Sequence, residues 1–204
     1  MDLDECMVYS FFSSEKDKES GSKKRKDIET VSLRCINQSR DEFQMRLRPG
    51  LREYLREVAS FADVFAFTAG TYVYAQSALQ HIDRDNDIFK QRWYRESCLN
   101  IKNTLYLKDL SRVFGKDYLP HRTVLVDNNI VSFIPQPNNG VLVKNFYDDE
   151  YDNSLLNEVL PKLILLDKES DVRPFLRNSE KLEEVCKQLE DRIYSALDVR
   201  KGGS

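Results

Sequence analysis

Apolar and polar positions fall in blocks along this chain, and the period within the blocks changes in a recurring order. "LDECMVYSFF" (3–12) is a short apolar run that reads as the end of a buried strand. It passes into "SSEKDKESGSKKRKDIET" (13–30), which has almost no apolar residues and predicts a mobile charged loop. "VSLRCI" and "EFQMRL" alternate on either side of "NQSRD", a hairpin pattern, so 31–47 reads as a β insertion. "RPGLREYLREVASF" has Pro49 near a helix start and puts Leu51, Tyr54, Leu55 and Val58 on one helical face. "DVFAFTAG" is an apolar strand stopped by glycine, and "TYVYAQSALQHID" returns to helical spacing with Tyr74, Ala78 and Leu79. A polar insert, "RWYRESC" and "TLYLKDLSRVF" lead to a second buried strand, "RTVLVDNN". "NSLLNEVLPKLILLD" and "SEKLEEVCKQLEDRIYSAL" are amphipathic helices.

Strands that are apolar throughout, alternating with helices, predict an α/β fold: a parallel central sheet flanked by helices, with a small β-hairpin insertion after strand 1. The pattern predicts one domain over 1–200, with "KGGS" (201–204) as a tail. A chain of 204 residues is long enough to bury a substantial core. The net charge of -3 argues against a general nucleic-acid binder, which carries a basic excess. Cys6, Cys35, Cys98 and Cys186 are widely spaced, as reduced thiols inside a cell are, rather than patterned as a secreted disulfide framework. No run approaches the roughly 20 apolar residues of a membrane helix. The first strand has no upstream half, which reads as a domain excised from a longer chain, where a membrane anchor stays open. "KKRK" (Lys23–Lys26) sits among acids and reads as a solvated loop, with a nuclear-import signal as the other reading.

In a parallel sheet, function gathers at the carboxyl edge. Three apolar strands turn polar there: at Asp2 and Asp4, at Thr68, and at Asp127 and Asn128. Lys108 adds a lone cation after the apolar "LYL". Two carboxylates, a hydroxyl, an ammonium, and an acid beside an amide fit phosphoryl transfer through an aspartyl-phosphate. A carboxylate attacking a phosphate monoester meets like charge, which a Mg²⁺ relieves, and Asp2 and Asn128 offer the hard oxygen ligands it prefers. Lys108 and Thr68 would hold phosphoryl oxygens, and Asp4 would protonate the leaving alkoxide. A free aspartic acid ionises at about pH 3.9, so Asp4 must be held protonated by its surroundings.

Here the residues reach a resemblance. "DLDECMVYS" looks like the DxDx(T/V) opening of haloacid-dehalogenase-type (HAD) phosphatases, which have a Rossmann-like core. "RPGLREYLREVASFADVFAFTAGTYVYAQSALQHID", "RWYRESC", "LYLKDLSRVFGKD", "VLVDNN" and "DKESDVRPFLR" resemble the FCP/SCP group, which acts on the carboxy-terminal domain of RNA polymerase II, and its Dullard-like branch. The likeness covers nearly the whole chain outside 13–30. It implies that Asp2 is the nucleophile and a Mg²⁺ ligand, and that Asp4 is the acid/base and lends its main-chain carbonyl to the metal. It further implies that Thr68 and Lys108 bind phosphate, Asp127 supports the lysine and the metal shell, and Asn128 is a metal ligand. Phe12, Tyr74 and Arg95 match substrate-side positions, with Val31, Leu33 and Ile36 as further candidates. Two positions depart from the pattern: Cys6 stands where threonine is usual, and "DNNI" replaces "DNSP".

Other chemistries fail on spacing. Cys186 and Arg192 have five residues between them, but they lie in an acidic helix without glycine, where no amide cradle forms around a phosphate. His81 and His121 lack companions at zinc-ligand spacing. The expectation is therefore a Mg²⁺-dependent phosphoserine/phosphothreonine protein phosphatase, intracellular and by resemblance nuclear. Its partner would be a phosphoprotein such as the polymerase C-terminal domain, with no direct nucleic-acid contact. The alternatives are a phosphatase of a small metabolite and a catalytically silent binding module on the same fold. A short insertion leaves the site open, which favours a peptide, and the presence of Asp2, Asp4 and Lys108 speaks against the silent module.

Overall fold

The computed structural model describes residues 1–11, 28–36 and 42–199, with side chains to residue 196. Phe12, most of the charged stretch at 13–30, the "NQSRD" turn and the tail 201–204 lie outside the described residues. The chain forms β1 (Val8–Phe11), β2 (Thr30–Arg34), β3 (Glu42–Leu47), α1 (Leu51–Ala59), β4 (Val64–Phe67), α2 (Tyr72–Ile82) and β5 (Phe89–Trp93). There follow β6 (Leu99–Ile101), β7 (Leu105–Leu107), α3 (Leu110–Phe114), β8 (Leu125–Asp127), β9 (Gly140–Leu142), α4 (Leu160–Asp167), α5 (Val172–Glu180) and α6 (Leu182–Val199).

This is a mixed α/β fold with parallel pairs at its centre. β4 pairs in parallel with β5, and β8 with β9. The N-terminal residues join the two pairs. Phe67 N–H donates to the Met1 carbonyl at 2.9 Å, and Asp2 N–H donates to the Val126 carbonyl at 2.9 Å. The order across the centre is thus β5, β4, the N-terminal segment, β8, β9. The interior is lined by Leu3, Val64, Ala66 and Val126 with the inner faces of α1 and α2. Leu51, Tyr54, Leu55 and Val58, the face expected of α1, are its buried residues.

Several elements differ from the sequence expectation. "LDECMVYSFF" is not one strand. After Asp4 the chain turns, with Glu5 at φ 57° and the N–H groups of Met7 and Val8 both donating to the Leu3 carbonyl, at 2.9 and 3.1 Å. β1 then runs antiparallel to β3, which also pairs with β2, so the insertion is a three-stranded sheet rather than an isolated hairpin. β2 begins at Thr30, inside the span expected to be loop. Alternation decides the face: Phe43, Met45 and Leu47 turn inward from β3 while Glu42, Gln44 and Arg46 turn out. β5 was hidden in the polar insert because Lys90 and Gln91 are exposed on an outer strand. A π-helical turn (Leu155–Val159) precedes α4, where Pro161 has no N–H to give to the turn before it. The last helix starts at Leu182, not Ser179, because Lys181 at φ 52° breaks it from α5.

Two local devices fix the frame around the first turn. Gly50 precedes α1 at φ 72°, and a Cβ there would lie 2.5 Å from Leu156 Cδ1, so both conformation and space call for glycine. Arg48, at the exit of β3, is fully buried. Its Nε and Nη2 donate to Asp152 Oδ1 and Oδ2 at 3.2 and 2.9 Å, Nη1 to the Cys6 carbonyl at 2.9 Å, and Nη2 to the Lys144 carbonyl at 3.0 Å. One guanidinium thereby ties together the turn after Asp4, the insertion and the 144–152 segment. Among the described residues no helix is long and apolar enough to cross a membrane.

Candidate active site

The hydrogen bonds that order the central strands also bring their polar ends to one edge. Asp2 lies in the N-terminal segment, Asp127 closes β8, and Thr68 follows β4 with its N–H donating to the Trp93 carbonyl at 3.0 Å. Lys108 follows β7. Gln136 fastens the main chain there, donating from Nε2 to the Lys108 carbonyl at 2.7 Å and accepting from Leu110 N–H at 3.1 Å.

Lys108, only 2% exposed, donates from Nζ to both Asp2 Oδ1 and Asp127 Oδ2. Asp127 Oδ1 accepts from Asn129 N–H at 2.8 Å, which orients the carboxylate toward the lysine. One ammonium serves two buried carboxylates. Burial alone would lower the lysine's pKa, but the two acids outweigh it and hold the ammonium protonated. Burial, reinforced by the charge of Asp127, pushes Asp2 up to about 7 against the opposing pull of Lys108. Burial also raises Asp4 above the usual carboxylate range, with the Tyr74 hydroxyl as the main opposing influence. Asp4 therefore keeps a proton to higher pH than a free aspartate does, as an acid catalyst requires.

The second oxygen of Asp2 faces a different environment. The inner edge of the Asn128 amide lies 3.1 Å from Asp2 Oδ2 and 3.1 Å from the Asp4 carbonyl oxygen. Its outer edge faces Asn145 Oδ1 at 3.3 Å; with nitrogen on that side the inner atom is oxygen, whereas the reversed amide would donate to both inner oxygens. With oxygen inward, the amide oxygen, a carboxylate oxygen and a main-chain carbonyl oxygen meet with no donor among them. Neighbouring ligands of octahedral Mg²⁺, bound at 2.0–2.1 Å, are about 2.9 Å apart. The donor set and spacing fit a small hard cation. Among the described residues no group of three or more His, Cys, Asp or Glu is arranged to hold a metal; the oxygens here come from one carboxylate, one carbonyl and one amide.

The structure therefore brings Asp2, Asp4, Lys108, Asp127 and Asn128 together, although they were identified in three separate stretches of sequence. Thr68 joins them by bearing on Asp4, while its Oγ1 also accepts from Gly70 N–H at 2.8 Å. Tyr74, expected on the substrate wall, donates its hydroxyl to Asp4 Oδ1 and packs its ring edge-on against Phe43 at 4.9 Å. Arg95 lies against the loop after Thr68, donating from Nε to the Ala69 carbonyl at 2.7 Å, with its guanidinium 5.0 Å over the Tyr106 ring. It borders the site without bonding to the acids. Phe12 lies outside the described residues. Val31 and Leu33 pack on the main core. Cys6, in the threonine position, is buried, and burial pushes its thiol up; burial likewise pushes Cys98 and Cys186 up, those two to about 11. These are inert thiols rather than nucleophiles.

The sequence reading missed Gln136, Glu5 and Asn145, which hold the ring of charged groups from behind. No periodicity marks them, since each acts through a contact made by a loop.

Residues 1–173 match the model of the NLI interacting factor-like phosphatase family. The chain belongs to that family. Among its relatives, the CTD small phosphatase-like protein 2 of Dictyostelium discoideum is 39% identical over 149 residues, 72% of this chain and 25% of that one. The CTD small phosphatase-like protein 3 of Caenorhabditis elegans is 32% identical over 145 residues, 69% of this chain and 47% of that one. The human carboxy-terminal domain RNA polymerase II polypeptide A small phosphatase 2 is 32% identical over 157 residues, 77% of this chain and 52% of that one. The chain thus spans between a quarter and about half of these family members. In fold it is similar to Fcp1, an essential RNA polymerase II CTD phosphatase, with a TM-score of 0.57 at 17% identity over 88% of this chain and 51% of that one.

Proposed function

We propose that this chain is a Mg²⁺-dependent phosphoserine/phosphothreonine protein phosphatase that works through an aspartyl-phosphate on a Rossmann-like core. The observation that supports it most is the division of labour around Asp2: one oxygen faces an ammonium, the other a cluster of oxygens suited to a cation. Asp2 Oδ1 attacks phosphorus beside Lys108. The bond from phosphorus to the serine or threonine oxygen breaks, and Asp4 gives its proton to that leaving oxygen. Water then attacks the aspartyl-phosphate, Asp4 takes a proton from it, and inorganic phosphate leaves with Asp2 restored. Thr68 and Lys108 bind the phosphoryl oxygens, and Asp127 keeps Lys108 in place. Asp2, the Asp4 carbonyl and Asn128 would hold Mg²⁺, which when bound neutralises the repulsion between carboxylate and phosphate.

The substrate proposed is a Ser/Thr-Pro phosphopeptide like those of the RNA polymerase II C-terminal domain, after the names of the family relatives. A panel of such peptides beside sugar phosphates, each with Mg²⁺ and with chelator, tests this. Phosphate release from peptides that stops on chelation is the expected result. Faster release from the sugar phosphates would transfer the site to small metabolites, and no Mg²⁺-dependent release from either would leave a binding module.

Tyr74 supplies a sharper test of Asp4. Where chemistry limits the rate, turnover falls on the alkaline side as Asp4 loses its proton. The Tyr74 hydroxyl favours the ionised carboxylate, so Tyr74→Phe raises the Asp4 pKa further. The alkaline limb of the rate profile then moves to higher pH, and the maximal rate drops by about tenfold with the lost hydrogen bond to a charged group. A limb that stays in place would return Tyr74 to the peptide wall.

A further inference from the structure

The Asn128 amide can face the Asp2 and Asp4 oxygens with either edge, and the two choices have opposite consequences. With nitrogen inward it donates to both oxygens at 3.1 Å, closing the site with two hydrogen bonds. With oxygen inward it completes a set of three acceptors that only a cation satisfies. In a protein without its cation the first choice is locally the better one, so something outside the site must impose the second.

That constraint lies at the outer edge. Asn128 Nδ2 donates to Asn145 Oδ1 at 3.3 Å. Asn145 is also an amide and could turn over, but its own Nδ2 faces Glu5 Oε2 at 3.1 Å and the Tyr147 hydroxyl at 2.8 Å. An ionised carboxylate only accepts. Nitrogen must therefore point at Glu5, oxygen at Asn128, nitrogen back at Asn145, and oxygen into the site. Polarity passes through two amides from a group that cannot reverse its own.

Glu5 is in turn held where this requires it. Its φ of 57° is in the left-handed region, which non-glycine residues seldom adopt and which persists where the surroundings over-determine it. Its N–H donates to the Val8 carbonyl at 2.7 Å, and its carbonyl accepts from Phe146 N–H at 2.7 Å. The residue after the second catalytic acid is thus clamped by its main chain to the residue after Asn145.

We infer that Glu5 and Asn145 are positioning residues forming a polarity relay, which keeps the Asn128 carbonyl oxygen turned toward Asp2 and the Asp4 carbonyl and so sets up the Mg²⁺ site before the ion arrives. The inference rests on the cation site proposed above. Removing an outer partner of a metal ligand typically weakens metal affinity by 10–100-fold. Asn145 is exposed, so water competes for its place and the low end applies.

The test titrates Mg²⁺ calorimetrically into the metal-free protein. Asn145→Ala is expected to weaken binding by about tenfold and to raise the Mg²⁺ needed for half-maximal phosphate release, with turnover at saturating Mg²⁺ close to the parent's. The melting temperature of the metal-free variant should stay within about 2 °C of the parent. Glu5→Ala should act in the same direction. Because the two residues act in series, the double variant should bind Mg²⁺ no more weakly than the worse single one. Tyr147→Phe leaves the chain from carboxylate to amide intact and should keep the parent's affinity. Unchanged affinity in Asn145→Ala, additive losses in the double variant, or an equal loss in Tyr147→Phe would each overturn the relay alone. Failure of the parent to bind Mg²⁺ would overturn the cation site, and the relay with it.

Discussion

Asp2→Asn is expected to lower turnover by roughly ten-thousand-fold or more, the scale of losing a covalent nucleophile, while leaving the protein at least as stable as before. The two halves of this expectation have one cause. Asp2 and Asp127 share the Lys108 ammonium, and burial with the neighbouring charge already pushes Asp2 up to about 7. An amide in its place cannot attack phosphorus, yet it relieves the crowding and leaves the Lys108–Asp127 pair at 2.6 Å. The sign of the pH dependence follows. A carboxyl whose pKa rises on folding from 3.8 to about 7 stabilises the folded state fully below the lower value, and that contribution is lost as pH climbs to the upper one. In metal-free protein, then, the melting temperature of Asp2→Asn should gain on the parent's as pH rises from about 4 to about 7. Added Mg²⁺ should favour the parent, since in the proposed mechanism an ionised Asp2 would be the ligand that asparagine cannot match. A variant that still turns over near the parent rate would remove Asp2 from the chemistry, and one that melts far below the parent would make it a structural acid.

The largest loss of stability is expected at Arg48. Arg48→Met keeps a stem of similar length in the same space but strands the Asp152 carboxylate, which is 2% exposed, and removes the donor from the Cys6 and Lys144 carbonyls. Lys144, half exposed at 3.6 Å, and the Ser154 N–H at 2.9 Å are partial substitutes. Breaking a buried pair from one side costs about 3–5 kcal/mol, which in a domain of this size lowers the melting temperature by roughly 10 °C. Removing the charge from both sides with Arg48→Met/Asp152→Leu should recover much of that, since a well-packed apolar pair is often no worse than the ion pair it replaces. Burial works against ionisation of Asp152, but Arg48 and the Ser154 N–H together hold it below the usual carboxylate range. The stability it contributes is therefore present above that range and lost as the solution is acidified through its lowered pKa. Thermal melts of the two variants beside the parent decide the matter: a single variant as stable as the parent would make the guanidinium's four bonds redundant.

Much of the site was legible because the charged and hydroxyl groups sit where apolar runs end. Asp2 and Asp4 were legible from their spacing and its resemblance to the DxD opening, whereas Thr68 and Asp127 each follow or close a run too apolar to face water, and such runs lie side by side in a covered sheet. Lys108 could be found for the same reason, as a cation placed after "LYL" with no surface reason to be there. The insertion's inward face could be read from the alternation of Phe43, Met45 and Leu47. What the sequence hid is of two kinds. β5 lies at the outer edge of its pair, where one-sided burial lets polar residues interrupt the pattern, and β9, only Gly140–Leu142, is too short to show a period. Arg48, Gln136, Glu5 and Asn145 are polar residues in connecting segments, indistinguishable by composition from solvated ones. Their partners are brought to them by folding alone, across separations such as the 104 residues between Arg48 and Asp152. The tie from Tyr74 to Asp4 is similar: the helix was visible, but not the carboxylate 70 residues away that its hydroxyl would meet.

The second residue of the chain is wedged between neighbours contributed by its middle and later portions, and its ammonium partner is 106 positions downstream. On the ribosome, both acids emerge before the segments that supply their neighbours and must wait, solvated and unpartnered, until Lys108 and Val126 have followed them. The segment that carries them can settle between β4 and β8 only once both of those strands have been synthesised. Contacts so remote in sequence slow folding, and a product that stops before Lys108 would leave Asp2 without its ammonium partner.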